Sequence, residues 1–133
     1  MITLVSLVLS LFMSLILGVS YTFGLETVIV DKSFNGREIK VRAGSSIRVD
    51  LEELGSAGYT WAIKNLDSEH FEVLSVKTKD FPSPGDITGA PVVRKWLIST
   101  KKKGKAELKF LHYRPWEGEK NASDTFVLKV RIL

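Results

Sequence analysis

Cysteine is absent from the 133 residues, which removes disulfide scaffolds, thiolate zinc sites, iron–sulfur centres and cysteine nucleophiles. Histidine is scarce: His70 and His112 stand alone, without the spaced partner that a histidine metal site needs. No Gly-rich phosphate cradle, metalloprotease helix motif or nucleophile elbow occurs. Asp and Glu fall singly at strand-surface and turn positions, where solvated charge is the default. The expectation is no enzyme, no catalytic residue, no cofactor and no metal. His112, beside Tyr113, reads as a structural or surface residue.

Charge is missing from the first 25 residues, so every Asp, Glu, Lys and Arg lies in residues 26–133. Within Met1 to Leu17 only Thr3, Ser6, Ser10 and Ser14 are polar, and such a segment prefers lipid or a translocon to water. Gly18-Val19-Ser20 offers small residues for signal cleavage before Tyr21, although a basic n-region is lacking. A retained anchor needs about 20 apolar residues, which the stretch reaches only by running on to Leu25. Cleaved signal and retained anchor both remain open, and both export the body. The expected division is a signal peptide or anchor over 1–20, a short linker over 21–25, and one domain over 26–133. That domain is expected to be secreted or extracytoplasmic, with membrane contact only if the leader is retained, and monomeric.

After Glu26 the hydrophobic period becomes two. Ile47, Val49 and Leu51 alternate with Arg48 and Asp50; Tyr59, Trp61 and Ile63 alternate with Thr60 and Ala62. Ala106, Leu108 and Phe110 follow the same rule, as do Phe126, Leu128, Val130 and Ile132. The alternation over Phe71–Val76 is less clean. Further runs lie at Thr27–Asp31, Arg37–Val41 and Val92–Thr100, with turn residues between them such as Asn35-Gly36 and Gly44-Ser45-Ser46. Half-buried strands of this kind, with no stretch of helical period, predict an all-β, antiparallel sandwich of seven or eight strands.

The cluster Lys101-Lys102-Lys103-Gly104-Lys105 reads as a hairpin turn, where lysines guard against edge-to-edge pairing. A net charge of only +4 on an exported chain makes nucleic acid a poor partner. Asn121-Ala122-Ser123 is an N-glycosylation sequon, with Asn121 a possible acceptor where the host glycosylates secreted proteins.

Three connections are rich in special residues: Glu53 to Gly58, Thr78 to Pro91, and Arg114 to about Asp124. With strands lettered in order these are the B–C, D–E and F–G loops. In an immunoglobulin-type sandwich B–C and F–G emerge at one end, and D–E can join them. Taken in order, the three loops resemble the chagasin family of inhibitors of papain-like cysteine peptidases, over essentially all of residues 26–133. The family's first pattern, Asn-Pro-Thr-Thr-Gly-Tyr-x-Trp, aligns with Leu54-Gly55-Ser56-Ala57-Gly58-Tyr59-Thr60-Trp61. Its second, Gly-x-Gly-Gly-x-x-x-aromatic, aligns with Gly89-Ala90-Pro91-Val92-Val93-Arg94-Lys95-Trp96. The third, Arg-Pro-Trp, is intact as Arg114-Pro115-Trp116.

The resemblance implies an immunoglobulin-like sandwich whose end loops wedge reversibly, competitively and without covalent chemistry into a papain-like cysteine peptidase. It implies peptidase contacts at Gly55, Ser56, Ala57, Gly58, Tyr59, Gly89, Ala90, Pro91, Arg114, Pro115 and Trp116. Gly58 suits a positive φ, and Trp116 offers a rigid apolar face that Pro115 restrains. Each residue also has a plainer use. Trp61 and Trp96 suit the core, Gly58 a simple turn, and Arg114-Pro115 the end of a strand. The first pattern has lost its proline and both threonine hydroxyls, and Pro91 and Val92 stand where the second has glycines. A looser first loop and weaker binding are therefore expected. The competing expectation is a non-inhibitory extracytoplasmic binding or adhesion module on the same sandwich.

Overall fold

A computed structural model describes residues 25–80 and 91–133. The leader with its cleavage site, and the second-loop residues Gly89 and Ala90, lie outside the described residues.

Among the described residues, eight strands form two four-stranded sheets. They are β1 (Thr27–Val30), β2 (Glu38–Val41), β3 (Ser46–Glu53), β4 (Thr60–Ile63), β5 (Phe71–Asp80), β6 (Val92–Thr100), β7 (Gly104–Tyr113) and β8 (Asp124–Ile132). One sheet has the order β1-β3-β6-β5 and the other β2-β8-β7-β4. The period-two segments bury the expected faces. Ile47, Val49 and Leu51 of β3 meet Phe126, Leu128 and Val130 of β8 in one core. Trp61 and Trp96 join it, 4% and 3% exposed, as their alternation with polar neighbours requires.

The sandwich is immunoglobulin-like, but not every pair is antiparallel. Four pairings are, whereas β1 runs parallel to β3 and β2 parallel to β8. The reason is the crossing at Asp31–Arg37, which carries the chain from one sheet to the other between β1 and β2. Neither strand then turns directly into its neighbour, so nothing imposes the antiparallel sense of a hairpin. The untidy alternation over Phe71–Val76 also has a cause. Val73 pairs with Ile98 and Ser75 with Leu97, so Leu74 is an extra residue bulged outward. The segment from Thr78 to Asp80, expected in the second loop, belongs to β5 instead.

The lysine cluster is not a hairpin, because β6 and β7 lie in different sheets and residues 101–103 turn a corner between them. Lys101 reaches from this corner to the Ser68 carbonyl at 3.1 Å. That corner and the turn at 42–45 mark one end of the sandwich, joined by the bond from Gly44 N to Thr100 O. The other end carries the loops 54–59 and 114–123 and the anchors of the 81–90 connection, where Asp80 pairs with Val92 and Val92 with Glu53.

Candidate functional site

The loop end is built on a charge that the alternation hides. Glu53 ends β3 on its inward phase and is 3% exposed. Its carboxylate takes a two-pronged bond from Arg94 of β6, Nε to Oε2 at 2.9 Å and Nη2 to Oε1 at 2.8 Å. The same Oε2 accepts the backbone N–H of Trp61 at 3.0 Å. Burial alone pushes the Glu53 carboxyl up. The Arg94 guanidinium, the Trp61 N–H and the Thr60 hydroxyl together outweigh it and hold the group below the ordinary carboxylate value. Glu53 thereby joins three strands under the first loop. Trp61 adds a second tie, its indole N–H donating to the Glu52 carbonyl at 2.7 Å.

Above this pair, the first loop is a compact 3₁₀ turn at Gly55–Ala57. Leu54 O accepts from Ala57 N and Tyr59 N, and Gly55 O accepts from Gly58 N at 2.9 Å. Arg114 Nε donates to the Ala57 carbonyl at 2.9 Å, binding the first loop to the third. The looseness expected from the missing proline is offset by these four bonds. Gly58 closes the turn in the left-handed region at φ +83°, where a side chain is strained. A second demand falls on the same residue. Trp116 lies against it so closely that a β-carbon at position 58 would fall 2.1 Å from Trp116 Cη2.

The third loop opens with a tight turn, Glu117 N donating to Arg114 O at 3.0 Å, which places Pro115 where turns favour it. Arg114 also pairs with Glu117 at 3.0 Å. Trp116 is 70% exposed, although one edge rests on Gly58. Asn121 is exposed, with Nδ2 donating to the Glu117 carbonyl at 2.9 Å.

A column of rings and cations runs beneath both loops. Lys32 Nζ stands 5.5 Å from the Trp61 ring centre, and Trp61 lies 4.9 Å from the His112 ring. His112 stacks on Tyr59 at 4.9 Å and 14°. Arg114 lies over Tyr59 at 4.5 Å and reaches towards Trp116 at 6.0 Å. Both Tyr59 and Arg114 are thus spent largely inside the protein, holding the two loops together. Gly55, Ala57, Pro115 and Trp116 face solvent, and Pro91 stands half-buried at the start of β6. Glu53, Arg94 and His112 carry the site without having been singled out for it. Each continues the inward phase of its strand, a signal present in the sequence.

A sequence model of the chagasin family of peptidase inhibitors, I42, matches residues 40–130. The chain belongs to the chagasin family. Chagasin of Trypanosoma cruzi is 23% identical over 104 residues, spanning 77% of this chain and 94% of that protein. Among solved structures, a cysteine protease inhibitor from Entamoeba histolytica is similar with a TM-score of 0.73 at 23% identity, covering 81% of this chain and 96% of its own. PbICP-C, solved in complex with falcipain-2, is similar with a TM-score of 0.53 at 19% identity, covering 80% and 89%. For a chagasin-family chain, the Gly58–Trp116 contact means that the first and third motifs, far apart in sequence, form one surface.

Proposed function

We propose that this chain is a reversible, competitive, non-covalent inhibitor of papain-like cysteine peptidases that binds through its loop end. The observation carrying this reading is Trp116: a large exposed aromatic face, fixed on Gly58 beside the 3₁₀ turn. An exposed ring already held in place loses little freedom on binding and is the type of residue that dominates interfaces. Family membership supports it, as does the falcipain-2 complex of PbICP-C.

The first loop has reason to resist cleavage. Residues 55–57 are curled, and the Leu54, Gly55 and Ala57 carbonyls are engaged. Stretching this segment across a cleft would break those bonds. Gly55, Ser56 and Ala57 enter the cleft in this reading, while Pro115 and Trp116 grip one rim. Gly89, Ala90 and Pro91 are assigned to the opposite rim. Tyr59 and Arg114 act by positioning, and Gly58 by giving Trp116 its seat. Nothing in the mechanism calls for catalysis or a cofactor. The apolar leader belongs to the same reading as an export signal, so the mature chain starts at Tyr21 if it is cleaved, which N-terminal sequencing checks.

Titration against papain over a range of substrate concentrations is expected to raise the apparent KM without lowering kcat. Trp116→Ala is expected to weaken the inhibition constant by about 2 kcal/mol or more, roughly 30-fold. Wild-type inhibition with an unchanged constant in that variant would remove the assigned surface.

A further inference from the structure

We propose that His112, buried beneath both described loops, sets their geometry while its ring is neutral, and that a proton added to the ring loosens the peptidase-binding edge. This deepens the proposed function by naming a regulation of the same site, and it rests on that reading where inhibition is the readout.

His112 is 8% exposed and packs against two aromatic rings, stacked on Tyr59 and tilted by 40° to Trp61, each with its centre 4.9 Å away. Among the described residues only one of its nitrogens has a partner. Nδ1 lies 2.7 Å from Ser123 Oγ, while Nε2 is buried with no hydrogen-bond partner. Ser123 Oγ donates to the His112 carbonyl at 3.1 Å, so Nδ1 carries the proton and donates to Ser123. A bare Nε2 tolerates an apolar slot better than an N–H⁺ does, because the latter is a charge without an acceptor.

The surrounding groups do not rescue that charge. Glu53 of β3 favours it but is committed to Arg94, and Asp124 of β8 favours it but is paired with Lys32 at 2.7 Å. Lys32, from the turn after β1, opposes it. From β4 and the residue before it come the Trp61 and Tyr59 rings, which already hold Lys32 and Arg114. An imidazolium here becomes a third cation in one column. Burial is the main cause that holds the His112 pKa below the ordinary imidazole value, outweighing both carboxylates.

The column gives this proton a route to the surface. Displacing the ring moves Tyr59, on which Arg114 rests, and Arg114 holds Ala57 of the first loop and Glu117 of the third. One buried ring therefore controls the seat of Trp116 from within. The neutral state is the binding state, so affinity falls as pH drops through the folded-state pKa, by at most about tenfold for each pH unit.

The test compares the purified wild-type protein with His112→Phe, which keeps an aromatic ring in the slot and cannot titrate. Inhibition of papain is measured from pH 7.5 to 4.5, and because both proteins face the same enzyme its own titration cancels in their ratio. The expected result is a wild-type constant that rises towards acid while the His112→Phe constant, divided into it, exposes a single-proton step. Parallel profiles would overturn the proposal. The free wild-type protein supplies the second readout by NMR: the Trp116 indole N–H resonance is expected to move with the His112 titration, and a static resonance overturns the coupling. If wild type does not inhibit at pH 7.5, the proposed function falls, and the free-protein titration still decides the coupling. Loss of far-ultraviolet circular dichroism over the same pH interval would mean global unfolding and would also overturn it.

Discussion

Arg94→Ala is expected to destabilise the domain by about 3–5 kcal/mol at neutral pH and to reverse the pH dependence that Glu53 gives the fold. The variant removes the cation from a pair whose carboxylate side chain is only 4% exposed. Glu53 would still accept the Trp61 N–H, but its charge would lack the guanidinium that offsets burial. The opposite truncation, Glu53→Ala, is expected to cost less, because the Arg94 side chain is 27% exposed and reaches water when its partner is gone. The sign of the pH effect separates the two variants. In the wild type the folded Glu53 pKa lies below its unfolded value near 4.5, so the pair's contribution is full above that value and lost as pH falls through the folded pKa. In Arg94→Ala burial, the largest of the causes, is opposed only by the Trp61 N–H and the Thr60 hydroxyl, and it raises the folded pKa. The contribution is then retained at low pH and lost as pH rises. The urea-unfolding gap between wild type and Arg94→Ala is therefore expected to narrow from pH 7.5 to pH 5. A gap that stays constant would mean that Glu53 carries no such charge.

The sequence read well where one face of a strand is buried. Ile47–Leu51 and Phe126–Ile132 alternate because the pleat sends successive side chains to opposite faces, and the structure buries the apolar set in both. Strand direction was not legible for β1 and β2. Four residues at a sheet edge have the same alternation whichever way they run, and only the crossing at Asp31–Arg37 decides it. Leu74 could not be read as a bulge, since its exposure depends on register against β6.

The site divides the same way. Arg114-Pro115-Trp116 is a local signature and sits in one local turn. The Gly58–Trp116 contact joins two loops, and no spacing rule reaches that far. Glu53 stands at the opening of the first special connection and Arg94 inside the second motif, and nothing local marks either for burial, because charge is the usual mark of the wet face. Their phase said otherwise: Val49, Leu51 and Glu53 share one face of β3, and Arg94, Trp96 and Ile98 one face of β6. His112 follows Leu108 and Phe110 inward in the same manner. Where a polar residue extends an inward row to the end of its strand, the period is the stronger guide, provided that a partner waits on the facing element.

Gly58→Ala is expected to abolish most inhibition while leaving the fold nearly intact. The backbone there has φ +83°, and an alanine held in the left-handed region costs about 1–2 kcal/mol. The steric demand falls elsewhere. The atom that the new β-carbon meets first is Cη2, the outer edge of a ring 70% exposed, so Trp116 swings away rather than the core giving ground. Stability then falls only by the backbone strain. Binding loses the preset position of its main apolar contact, at about 2 kcal/mol or more, together with some order in the 3₁₀ turn. An increase of about 100-fold in the inhibition constant corresponds to about 2.7 kcal/mol. A double-mutant cycle decides whether the loss passes through Trp116. In a Trp116→Ala background the new β-carbon has nothing to displace, so Gly58→Ala is expected to add much less there than it does alone. Fully additive losses would mean that Gly58 serves the peptidase contact independently, as close backbone approach in the cleft, and that Trp116 does not depend on it for its seat.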